Sequence, residues 1–102
     1  MTDLEIRTKL LLSTQRALLG AVSPALREVS CGWQAMKIKL RFVYDGEISD
    51  QDRDAAHIVG AEVISDFPEG WDIAEDIARL DAPAKLILPE GNAILAFKRW
   101  ED

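Results

Sequence analysis

The chain contains one cysteine and one histidine, and no apolar run approaches the roughly 20 residues that cross a bilayer. A lone Cys31 excludes an intrachain disulfide framework, which suits a reducing compartment. The N-terminus, MTDLEIRTK, puts acids ahead of any base and lacks the layout of a secretory leader. A cytoplasmic protein with no membrane partner is therefore expected. One Cys and one His cannot supply a structural zinc site by themselves. Also missing are a glycine-rich phosphate loop, a G-x-S-x-G elbow and an H-E-x-x-H helix. No catalytic residue, metal or cofactor is expected, and the chain reads as a non-enzyme.

What is present is ordinary globular composition, with 48% hydrophobic and 29% charged residues over 102 positions, enough for one domain spanning 1–102. The net charge of −6 is unevenly spread. Residues 1–44 carry seven Lys/Arg and three Asp/Glu, a balance of +4, whereas residues 45–102 carry five and fifteen, a balance of −10. Basic and acidic elements lying side by side would neutralise part of this. Alternatively, the acidic half presents one surface to a basic partner. Nucleic acid is a poor partner, because Lys37, Lys39 and Arg41 are too few to neutralise a run of phosphates.

The clearest local signal is the stretch from Met36 to Tyr44. Met36, Ile38, Leu40, Phe42 and Tyr44 alternate with Lys37, Lys39 and Arg41, the period of a strand with one dry and one wet face. Asp45-Gly46 breaks it, and Ser49 followed by Asp52 opens a helix over 50–66 in capping-box fashion. Ala55, Ala56, Val59, Gly60, Val63 and Phe67 gather on one side of that helix, and Pro68 and Gly70 end it. Upstream, Leu4, Leu11, Leu18 and Val22 predict a first helix over 3–22, stopped by Ser23-Pro24. Residues 26–33 predict a less regular strand, with a hairpin turn from Gly32 to Ala35. Residues 71–81 have helical spacing through Ile73, Ile77 and Leu80. Residues 84–91 read as a loop, and 92–100 as a strand covered on both faces for much of its length.

Several residues invite a chemical reading. Asp50, Asp52 and Asp54 imitate the start of a calcium loop, but Ala55 and Ala61 replace the glycine and glutamate required at positions six and twelve. Helix-terminal charge explains them better. His57 lies at the flank of the apolar helix face and reads as a boundary residue, and Cys31 as a small buried hydrophobe. Trp33, Trp71 and Trp100 fall at element ends, where tryptophan closes a small core or anchors an interface. Trp71 stands among Glu69, Asp72, Glu75 and Asp76, an aromatic centre with an acidic rim that suits a basic protein.

Three stretches, LLLSTQRALLGAVSPALREVSCGW, KLRFVYDGEISDQDRDAAHIVGAEVISDFP and RLDAP with the terminal KRWE, together resemble small bacterial immunity proteins. Such proteins are encoded beside polymorphic or contact-dependent growth-inhibition toxins. The resemblance covers nearly the whole chain and implies an α+β two-layer sandwich in the order α-β-β-α-β-β. It makes 72–81 a strand, against the local periodicity, in a four-stranded, mostly antiparallel sheet with two helices on one face. Lys37, Lys39 and Arg41 would lie on the other face, with acids of a neighbouring strand as partners. The function expected is to bind and neutralise a cognate toxin domain, of nuclease type and basic, with the chain a monomer or weak dimer. Contact residues would be Asp45, Glu47, Trp71, Asp72, Glu75 and Asp76. The alternative is a small-molecule-binding or regulatory domain.

Overall fold

Thr2 and Glu5 begin the first helix by capping each other. The Glu5 amide donates to Thr2 Oγ1 at 3.2 Å, and the Thr2 amide donates to Glu5 Oε1 at 3.2 Å. In the computed structural model, which describes residues 1–87 and 91–101, this helix is α1, Asp3–Ala17. It stops before the expected 3–22 because Gly20, at φ +81°, turns the chain into the left-handed region. Its buried face is Ile6, Leu10, Ser13, Thr14 and Ala17, while Leu4 is 72% exposed. Leucines surround this helix, so their spacing alone does not select the inner face. Ser13 tolerates burial because its hydroxyl donates to Asp66 Oδ2 at 2.6 Å.

β1 (Leu26–Gln34) and β2 (Lys37–Tyr44) form an antiparallel hairpin. Its turn is Ala35–Met36, with Ala35 at φ 54°, and not the expected 32–35. Gly32 lies inside β1 for another reason. A Cβ there would sit 3.0 Å from Asn92 Oδ1, so glycine lets the segment before the last strand lie across it.

α2 (Asp50–Ser65) starts where expected, with Ser49 Oγ accepting from the Asp52 amide at 3.0 Å. Ala56, Val59, Gly60 and Val63 form its buried face. β3 (Asp72–Arg79) follows, then β4 (Ile94–Lys98), and the sheet order is β3-β2-β1-β4. The loop expected over 84–91 lies in part, at 88–90, outside the described residues.

The element order agrees with the expectation, but the sheet is mixed. β1 is antiparallel to β2 and β4, whereas β3 runs parallel to β2, from Lys37↔Asp72 to Tyr44↔Arg79. The single helix α2 between β2 and β3 returns the chain to the end of the sheet where β2 began, so β3 repeats its direction. Continuous pairing with β2 overrides the helical spacing of 72–79. β4 is shorter than the expected 92–100 and is an edge strand, with Leu95 38% exposed.

α1 packs on β1 and β4, and α2 on β2 and β3, so both helices cover one face. Between the layers lie Ile6, Leu10, Val59 and Val63 from the helices and Val29, Cys31, Ile38, Leu40 and Phe42 from the sheet. The other face has no helix over it, and there three of the four odd-numbered residues of β2 emerge, Lys37, Lys39 and Arg41, while Val43 is buried.

Candidate partner-binding surfaces

Four of the six expected contact residues fall along one edge of the sheet. Trp71 leads into edge strand β3 and packs against Phe67, ring centroids 5.0 Å apart at 49°. Asp72 and Asp76 pair in register with Lys37 and Arg41 and so share the open face. The Asp76 carboxylate is 3.7 Å from Arg41 Nε. Glu75 points the other way, towards α2, where its Oε1 lies 3.0 Å from His57 Nδ1. Gly60 makes room for it, since a Cβ there would stand 2.6 Å from Glu75 Cδ. Asp45 and Glu47 are elsewhere, past the opposite end of β2, a strand of eight residues or roughly 25 Å long.

At that far end most charges are already engaged. β1 carries a bulge between Leu26 and Glu28, which leaves Arg27 as the extra residue. The Arg27 guanidinium is 2% exposed and donates to Glu101 at 2.8 Å through both Nε and Nη2. It also donates to the carbonyls of Leu80, at 2.7 Å, and Ala84, at 2.9 Å. Arg99 Nη2 joins Glu101 at 2.9 Å and Asp45 at 3.1 Å, and Asp45 Oδ1 accepts from the Ala82 amide at 3.2 Å. Asp81 accepts from Arg79 and from the Gly46 amide. Hydrogen bonding from Arg27 holds the Glu101 carboxyl down at about 2, and Arg79 does the same for Asp81. Asp45 thus ties the C-terminal segment to the strand ends.

Sequence reasoning missed this latch, although a signal exists. The inward residues of β1 are Leu26, Val29, Cys31 and Trp33, spaced three, two and two, and one step of three in a period of two is an inserted residue.

The open face is the other charged region. Lys37, Lys39 and Arg41 stand over small neighbours: Gly32 and Ser30 pair with Lys39 and Arg41 on one side, and Ala74 with Lys39 on the other. The result is a trough of about 620 Å³, whose walls include Gln34 and Asn92. A second hollow, about 580 Å³, lies beside Arg27, Lys85, Lys98 and the 88% exposed Trp100. His57 is exposed and lines neither. Burial pushes the Cys31 thiol up to about 11, the state of a packing residue and not of a nucleophile. Among the described residues no three of His, Cys, Asp or Glu gather as a metal site, and no helix is long and apolar enough to cross a membrane.

This is a small α+β sandwich with acids along one sheet edge and a basic row on the sheet face that no helix covers. The family model described as MafI2 immunity protein matches residues 7–101, and the chain belongs to that family. Membership implies a toxin-neutralising role exercised by binding a cognate toxin, and a function that is not enzymatic. No curated protein gives a significant match.

Proposed function

We propose that this immunity protein neutralises a basic, nuclease-type toxin domain by covering it with the β3 edge and the acidic loops around it. The observation that carries the reading is that Asp72 and Asp76 stand on one face of an edge strand entered through the half-buried Trp71, with Glu75 on its other face against His57. Exposed Glu69 adds a further carboxylate beside Trp71. An edge strand also offers unpaired backbone groups, and acids along it discourage pairing with another copy of the same chain while leaving it open to a basic one. A nuclease active site is basic because its substrate is a polyanion, so an acidic cover gains steering and orientation. Glu47 and Asp45 lie too far along β2 to join the same small patch, and they contact only a partner that spans the edge.

Co-expression with the toxin encoded beside this gene tests the reading. The expected result is growth rescue, a stable complex and suppressed cleavage of DNA or RNA. Replacement of Asp72 and Asp76 together by Lys should weaken the complex at least tenfold. Absence of both complex and rescue with the unaltered chain would end the proposal, and a toxin active on something other than nucleic acid would end its nuclease part.

A further inference from the structure

We propose that the trough on the open sheet face is a second contact surface, which receives an extended acidic segment of the same toxin. The inference rests on the toxin-binding reading above. It adds a site of opposite charge and a reason why the partner docks in one orientation.

The first feature of the trough that suits such a segment is spacing. Lys37, Lys39 and Arg41 leave β2 on one face at every second residue, a repeat of roughly 6.6 to 6.8 Å. An extended peptide repeats its own side chains at the same interval. Carboxylates at alternate positions of such a segment would meet all three cations in register.

The second is space. Gly32, Ser30 and Ala74 flank the basic row where larger side chains would fill the face, and the trough they leave is about 620 Å³. The amide side chains of Gln34 and Asn92 stand in its walls, able to bond a peptide backbone.

The third is unspent charge. Neither Lys37 nor Lys39 makes an ion pair among the described residues. Arg41 has only the 3.7 Å approach of its Nε to Asp76, and its half-buried side chain lines the trough. Guanidinium donors bind carboxylates through short charge-assisted bonds. In a chain of net charge −6, a concave surface lined by three cations and the one acid Asp76 keeps an excess of positive charge that is complementary to acids.

The fourth is continuity. Ala74 and Asp76 belong to the β3 edge and also line the trough, so a partner that covers the edge reaches it. Acidic edge and basic trough side by side ask for a partner with the reverse pattern, which penalises a rotated or shifted pose. Nucleic acid is disfavoured, because three cations release few counterions.

The test compares the unaltered chain with the Lys37→Glu/Lys39→Glu variant, using the toxin encoded by the adjacent gene and following affinity by calorimetry. The expected result is a dissociation constant raised tenfold or more, with an unchanged circular dichroism spectrum and a melting temperature lowered by no more than a few degrees through the new carboxylate opposite Asp72. Carbodiimide treatment of the wild-type complex should join Lys37 or Lys39 to an aspartate or glutamate of the toxin, as read by mass spectrometry. Equal affinity of variant and wild type, or crosslinks confined to other lysines, would overturn the trough proposal while leaving the edge reading intact. No binding by the wild type would remove both. A single-stranded oligonucleotide held through Lys37 and Lys39 more tightly than the toxin would reassign the trough to nucleic acid and overturn the acidic-segment proposal.

Discussion

The two basic groups on this sheet are used in opposite ways. At one end, Arg27 and Arg99 are wrapped by Glu101, Asp45 and three backbone carbonyls, and the C-terminal segment is fastened by them. On the open face, Lys37, Lys39 and Arg41 line a trough, with Asp72 and Asp76 beside them and a single ion pair, Arg41 to Asp76 at 3.7 Å, among the described residues. The first group is fully engaged by hydrogen bonds inside the molecule, and the second is engaged only in part. A charge whose partners all belong to the chain does structural work, whereas one held over a vacant trough is available to something else.

The strongest way to break that contrast is to remove the centre of the latch. Arg27→Met should cost about 3 kcal/mol, because it strips a 2% exposed guanidinium from Glu101 and leaves the Leu80 and Ala84 carbonyls without their donor. Urea denaturation should show a lower midpoint with little change in slope. For a domain of this size the melting temperature should fall by more than about 10 °C. An unchanged midpoint would mean that the corner is decorative.

Next in size is the acid limb of stability. Glu101 moves from 4.5 to about 2 on folding, through its bonds to Arg27 and then Arg99, and Asp81 from 3.8 to about 2 through Arg79 and the Gly46 amide. A depressed carboxylate contributes stability that is fully present above its unfolded value and is lost as the pH falls through its folded value. Melting temperature should therefore hold from neutrality to about pH 5 and drop between about 4.5 and 2. Glu101→Gln should lower it at pH 7 but match the wild type near pH 2, flattening the profile. A parallel drop in both proteins would assign the acid sensitivity to other groups.

Much of the helix-covered region was legible in the sequence. β2 announced itself by strict alternation, and Ser49 marked the start of α2 to the residue, because both are local rules obeyed without competition. β3 was not legible from its own spacing, since Ile73 and Ile77 suit a helix and only pairing with β2 makes them a strand. Its parallel direction depends on the crossover by α2, a property of three elements and not of any one. The inner face of α1 was hidden because leucines occupy most of its circumference, and Ser13 and Thr14, polar by type, proved buried. Of the charged surfaces, the edge acids were visible as a cluster. The latch was not, because Arg27 meets Glu101 across 74 residues and only the bulge aims it there.

On the helix-covered side of β3 stands Glu75, a carboxylate in contact with His57 and pressed against a glycine. Gly60→Ala should gain up to about 1 kcal/mol of helix propensity. It should lose a comparable part by driving the Glu75 carboxylate from its 3.0 Å contact with His57. The single variant is expected near neutral, and Gly60→Ala/Glu75→Ala more stable than the wild type by up to about 1 kcal/mol. A double-mutant cycle on denaturation midpoints reads the coupling. Strict additivity would show that the two side chains do not compete for the same space.

The smallest expected effect is the one that sharpens the contrast most. Lys39 is exposed, unpaired among the described residues and flanked by Gly32 and Ala74, so Lys39→Glu removes neither a fold contact nor a buried bond. Its stability change should stay within about 0.5 kcal/mol. The sign should be mildly favourable at low salt, because a carboxylate between Lys37 and Arg41 replaces a third like charge, and salt should erase it. A loss as large as that of Arg27→Met would mean that the open-face cations also hold the fold together, and their availability to a partner would have to be given up. Near-neutral stability, set beside a tenfold loss of toxin affinity in the Lys37→Glu/Lys39→Glu variant, would assign the two basic groups to separate tasks.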